Sequence, residues 1–250
     1  MLNLHERWTI VDGRRVYARV GSCTPEAPPL VLVHGFIVAG NVYLPAAETL
    51  VRDFAVYVPD LPGYGKSDLP QRPLDIPELA DALIAWMDAI GISHASFVGN
   101  SMGAQIVADL AARRPERVGK IVLQAPTVPT GERSMLIQAF RRWQNERRES
   151  SDALRKLARE DFRIVGLRRA LQIGRMVLRD RIEDKLPKIA APTLLVRGTR
   201  DPIIRDGWLH RLGELLRDGR IAEVVGGTHS VVFIEPQRFV EAIRPFLLVG

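Results

Sequence analysis

The sequence predicts an α/β fold: a mostly parallel, twisted sheet of about eight strands, helices on both faces, and a helical cap inserted late in the chain. Two observations predict it. Short apolar, β-branched runs alternate with helix-length segments through most of the 250 residues, which is the texture of parallel βαβ units covered on both faces. Between Val128 and Leu186 the alternation stops, and only charged segments with helical spacing remain.

The elements follow in order. Trp8 to Val11 and Val16 to Val20 flank Asp12-Gly13, a pair suited to a tight turn with positive φ, so a hairpin opens the fold. Leu30 to Val33 reads as a strand, followed by a helix near Pro45 to Val51. Ala55 to Val58 is the next strand, with a helix over Ile76 to Ile90, and Ala95 to Val98 is followed by a helix over Met102 to Arg113. After the strand Val118 to Leu123 comes the insertion, where Leu136, Phe140 and Trp143 at i, i+4, i+7 mark one helical face. Alternation resumes with Thr193 to Val196, a helix near Trp208 to Leu216, and Ile221 to Val225. A last helix is opened by Pro236 at a favoured first-turn position. With no repeat, linker or low-complexity tract, residues 1–126 and 189–250 form one core and 127–188 a cap.

Composition excludes other classes. At 46% hydrophobic and 26% charged residues the chain is neither disordered nor collagen-like. Its longest apolar runs, such as Pro29 to Val33, fall far short of the roughly 18 to 20 residues of a membrane span. The charged amino terminus has no apolar signal region, and the single Cys23 can form no internal disulfide, so a cytoplasmic protein is expected. The net charge of +6 is local: residues 127–188 hold 16 basic and 9 acidic side chains, and the remainder is near neutral. No recognition helix, zinc pattern or aromatic-interleaved basic stripe accompanies it, so nucleic acid is not the expected partner.

Gly99-Asn100-Ser101-Met102-Gly103 matches G-x-S-x-G, the elbow that exposes a serine hydroxyl between a strand and a helix. SFVGN reads as the strand entering it and MGAQIVADLAARR as the helix leaving it. A serine needs a base within hydrogen-bond reach, and that base needs an orienting carboxylate. His229, in GGTHS after the strand IAEVV, is the expected base, and Asp201, immediately after TLLVRG, the expected acid. Acyl transfer also requires donors for the developing oxyanion. The Met102 amide, next to the nucleophile, and the Phe36 amide, in the His34-Gly35-Phe36 loop, are the candidates.

HGF at 34–36, DLPGYGKSD at 60–68, GNSMG at 99–103, RPERVGKIVL at 114–123, LVRGTRDPI at 195–203 and GGTHS at 226–230 together resemble the α/β-hydrolase superfamily, in its order and spacing. The resemblance implies the α/β-hydrolase fold, with Ser101, Asp201 and His229 as its triad. Serine at the elbow separates the chain from haloalkane dehalogenases and epoxide hydrolases, which carry aspartate there. GNSMG also resembles carbon–carbon bond hydrolases of ring-fission products, and Asn41 stands where it could mimic an asparagine they carry near the oxyanion loop.

The expected function is a serine hydrolase cleaving carboxylic esters through an acyl-enzyme on Ser101, without metal or cofactor. The alternatives are carbon–carbon cleavage of ring-fission-type diketones, or thioester cleavage on an anionic acyl carrier. The partner is a small-molecule ester; the oligomeric state is left open. Gly35, Asn41 and Trp143 are the candidate substrate-binding residues. Leu167, Leu171, Gly174 and Leu178 form one face of a cap helix, suited to packing or lining the pocket. Arg168, Arg175 and Arg179 form a neighbouring stripe, which in the functional reading attracts an anionic substrate and otherwise is solvated surface.

Overall fold

The computed structural model describes residues 4–249. β1 (His5–Val11) and β2 (Arg14–Gly21) form the hairpin around Asp12 and Gly13, both at positive φ. The chain continues through β3 (Pro29–Val33), a 3-10 turn at Gly40–Tyr43, α1 (Leu44–Leu50) and β4 (Ala55–Pro59). Then come α2 (Ile76–Ala89), β5 (Ala95–Asn100), α3 (Met102–Arg113) and β6 (Val118–Gln124). The insertion supplies α4 (Met135–Arg148), α5 (Asp152–Val165) and α6 (Leu167–Arg179). β7 (Thr193–Gly198), α7 (Asp206–Leu215), β8 (Gly219–Val224), the short α8 (Val231–Ile234) and α9 (Pro236–Leu248) complete the core. Among the described residues, no helix is long and apolar enough to cross a membrane.

The eight strands lie in the order β1-β2-β4-β3-β5-β6-β7-β8. The first two pairings, β1 with β2 and β2 with β4, are antiparallel and all others parallel. β3 is buried on both faces, which is why Leu30 to Val33 reads as a continuous apolar run rather than an alternating one. One face packs on α2 and α3 through Leu79, Leu83, Ile106 and Leu110; the other packs on α1 and α9 through Leu50, Phe239 and Ile243. α2 begins where its sequence says it should. The Asp75 carboxylate accepts the Glu78 N–H, the Glu78 carboxylate accepts the Asp75 N–H, and Pro77 occupies the first turn.

Sheet order positions the site. β4 lies on one side of β3 and β5 on the other, so the loops leaving β3 and β5 diverge and open a crevice at the carboxyl ends of the strands. The helices inserted between β6 and β7 are held there by a few buried polar contacts. Asp161 on α5 accepts the Ala39 N–H at 2.8 Å, and Gln105 on α3 donates to the Val177 carbonyl of α6 at 3.1 Å.

Candidate active site

Ser101 sits between β5 and α3 at φ 55°, ψ −113°, a conformation that costs a non-glycine residue about 1–3 kcal/mol. Two glycines make the turn possible. A Cβ on Gly99 would lie 2.4 Å from the Gly103 carbonyl oxygen, and one on Gly103 would lie 2.1 Å from that of Val33. The turn is tied to β6 by the Ser101 N–H, which donates to the Gln124 carbonyl at 2.9 Å.

The loop after β7 buries Asp201, and the loop after β8 brings His229 to it, with Nδ1 2.8 Å from Asp201 Oδ2. A carboxylate only accepts, so Nδ1 carries the proton and Nε2 keeps its lone pair. The other oxygen, Asp201 Oδ1, accepts from the Ile203 N–H at 2.7 Å and the Ile204 N–H at 3.2 Å. Burial pushes the His229 pKa down, but the Asp201 charge and hydrogen bond, with a smaller contribution from Glu149, outweigh it and leave the imidazole above its ordinary value. Ser101 and His229 line the same cavity, of about 690 Å³. No hydrogen bond joins the two side chains among the described residues; such contacts commonly tighten only when substrate binds.

Gly35 and Phe36 line this cavity beside Ser101. Met102 is the first residue of α3, where an N–H has no acceptor within the helix and the helix dipole favours negative charge. Neither the Phe36 nor the Met102 amide donates to a protein group among the described residues. His34 does not line the cavity: it is fully buried, accepts the Leu61 N–H on Nε2 at 3.0 Å and faces the Gly35 carbonyl through Nδ1.

Two candidate binding residues lie elsewhere. The Asn41 side chain is hydrogen-bonded to Arg19 and does not line the cavity. Trp143 is half exposed on the outer side of α4, stacked on Phe140 with Arg147 over its ring. The arginine stripe is also misplaced: Arg168, Arg175 and Arg179 are exposed and face away from the cavity. The arginines that line it are Arg142 on α4 and Arg155, Arg159 and Arg163, at i, i+4, i+8 along α5. Of the apolar face on α6, Gly174 and Leu178 line the cavity, while Leu167 and Leu171 face solvent.

Sequence reasoning passed over four polar residues around the site. Asn100 donates to the Gln124 side chain, which donates in turn to the His229 carbonyl at 3.0 Å. From the cap, Asn145 and Glu149 accept the N–H groups of His229 and Ser230. Only Gln124 carried a signal in the sequence, as a polar residue between Leu123 and Ala125; Asn145 and Glu149 sit among the other polar residues of a charged helix, and Asn100 is a variable position of the elbow motif.

The alpha/beta hydrolase family model matches residues 30–242. The chain belongs to that family. This hydrolase is 25% identical, over 88% of its length and 95% of the relative's, to a pimeloyl-(acyl-carrier protein) methyl ester esterase of Nitrosospira multiformis. Among solved structures, a membrane phospholipase A described as a bacterial virulence factor superposes with a TM-score of 0.86 at 27% identity, covering 98% of this chain and 86% of the other. The 2-hydroxy-6-oxo-6-phenylhexa-2,4-dienoate hydrolase of a Rhodococcus strain gives 0.79 at 20% identity, covering 99% and 98%, a likeness of fold alone.

Proposed function

We propose that this hydrolase cleaves carboxylic esters through an acyl-enzyme on Ser101. The observation that carries the reading is the Asp201–His229 pair, 2.8 Å apart, opening onto the same cavity as a serine on a strained elbow. Ser101 Oγ attacks the ester carbonyl as His229 Nε2 takes its proton, and the Phe36 and Met102 amides receive the oxyanion. His229 then protonates the leaving alcohol, with Asp201 stabilising the imidazolium. Water attacks the acyl-enzyme by the same route in reverse and releases the acid.

The substrate class follows from the walls. Phe36 from the loop after β3, with Val128, Phe162, Val177 and Leu178 from the 127–188 cap, provides an apolar surface for the acyl chain. Arg159 and Arg163, in no salt bridge among the described residues, suit an ester that also carries an anionic group. The Nitrosospira relative, named for a methyl ester on an acyl carrier, is consistent with that class. Carbon–carbon cleavage is less supported, because Asn41, the residue that could serve it, bonds to Arg19 outside the cavity.

The test is a fluorophosphonate probe with short p-nitrophenyl esters. The wild type is expected to label at Ser101 and hydrolyse the esters, and Ser101→Ala to do neither. Labelling at another residue, or full activity in the variant, overturns the proposal.

A further inference from the structure

The last turn of α4 grips both loops that carry the acid and the base. Asn145 Oδ1 accepts the His229 N–H at 3.2 Å, and Glu149 Oε1 accepts the Ser230 N–H at 2.9 Å. Between them Arg148 donates to the Arg200 carbonyl at 2.7 Å, one residue before Asp201. Asn145 and Glu149 are only 4% and 8% exposed. Burying a carboxylate costs several kcal/mol unless hydrogen bonds compensate it, and here the compensation comes from the main chain of the catalytic loop. Glu149 is itself anchored, its carbonyl accepting from Arg155 at 3.0 Å.

From the core side, Gln124 holds the other end of the same residue: its Nε2 donates to the His229 carbonyl at 3.0 Å, while its main-chain oxygen takes the Ser101 N–H. The main chain of His229 is thus fixed by its N–H from the cap and by its C=O from the core. The imidazole has only two side-chain torsions, so its aim at Asp201 and Ser101 is set by the backbone that carries it.

We propose that Asn145 and Glu149 are positioning residues: the seated helix α4 fixes the His229–Ser230 backbone so that the imidazole spans Asp201 and Ser101, and the cap completes the triad as well as roofing it. This rests on the triad reading above. Three charged groups influence His229: Asp201 from the β7 loop, Arg142 from α4 and Glu149 just past its end. Arg142 is paired with Glu146.

Matched variants separate the hydrogen bond from the charge. Asn145→Leu and Glu149→Leu delete the acceptors; Asn145→Asp and Glu149→Gln keep one. On p-nitrophenyl acetate the leucine variants are expected to lose about tenfold to a hundredfold in kcat, the usual scale of a small misalignment, with KM little changed. The acceptor-retaining variants should recover most of the plateau kcat. Glu149→Gln should also move the acid limb of kcat/KM to lower pH, since a carboxylate that raises His229 is gone. Unchanged kcat in both leucine variants, a loss confined to KM, or an equal loss of kcat in Asn145→Asp and Glu149→Gln overturns the proposal. If the leucine variants do not fold, Asn145→Ala and Glu149→Ala, which delete the acceptors without added bulk, are read in the same way. Failure of the wild type to label at Ser101 overturns the triad reading itself, a separate result from any of these.

Discussion

Asp201→Asn tests the orientation of the base with little change of shape. In the wild type Asp201 Oδ1 receives two main-chain donors, Ile203 at 2.7 Å and Ile204 at 3.2 Å, while Oδ2 faces His229 Nδ1 at 2.8 Å. The two amides require an oxygen, so the asparagine keeps its carbonyl there and turns its NH2 toward Nδ1. The imidazole must then accept on Nδ1 and carry its proton on Nε2, the atom that has to receive the Ser101 proton. The opposite flip points NH2 at two buried N–H groups and leaves them unpaired, at about 1–3 kcal/mol each. Either way the imidazolium formed during attack loses its carboxylate. Loss of a triad acid in this manner costs about 10⁴-fold in kcat, or roughly 5.4 kcal/mol of barrier at about 1.36 kcal/mol per decade. The assay is steady-state hydrolysis of p-nitrophenyl acetate, alongside a thermal melt to confirm that the variant folds. A folded variant whose kcat stays within about tenfold of the wild type, far short of that loss, would refute this account of Asp201.

Two further predictions concern pH. In the proposed mechanism His229 acts as a neutral base, and Asp201 and Glu149 hold it above its ordinary value, so the acid limb of kcat/KM should have its midpoint above about 6.5; a pH–rate profile with its midpoint below that overturns the prediction. Burial of Asp161, with smaller repulsion from Asp60 and Glu160, raises its carboxyl to about 6 against the Ala39 hydrogen bond, so the folded chain holds that proton more tightly than the unfolded one. The sign is therefore a contribution to stability present below the unfolded value near 3.8 and lost as pH rises through about 6. Asp161→Asn, which keeps an acceptor for Ala39, should raise the melting temperature above pH 6 and leave it unchanged near pH 4. A uniform shift at both pH values contradicts it.

What the sequence made legible is what local patterning encodes. β-branched runs located the buried strands, and the elbow glycines, together with Asp201 and His229 just past two strand ends, located the triad candidates. Strand ends were harder. β7 runs to Gly198, past Val196, because Arg197 continues it as a buried side chain paired with Glu223 and Asp206, where hydropathy reads a stop. The cap faces were legible only in part: of the α6 face, Gly174 and Leu178 line the cavity, while α4 was read the wrong way round. α4 points Leu136, Phe140 and Trp143 at solvent and turns Gln138, Arg142, Asn145 and Glu149, on its opposite side, toward the cavity. Periodicity identifies two faces of a helix. Which one is covered depends on what lies beneath, and beneath α4 lie the polar backbone of the His229 loop and a cavity.

The cap contacts bracket Ser101. On one side Asp161 holds Ala39, three residues beyond Phe36; on the other, Asn145, Arg148 and Glu149 hold the loops of His229 and Asp201. Acidification acts on both sides through groups whose folded values are raised. A raised histidine stabilises the fold below its unfolded value and loses that contribution as pH rises through its folded one, the same direction as Asp161. As pH falls from neutrality toward 4, these two groups therefore strengthen the fold while protonation of His229 removes the proposed base. Acid inactivation should then precede unfolding and reverse on neutralisation, because it is the titration of one imidazole and not the release of the cap.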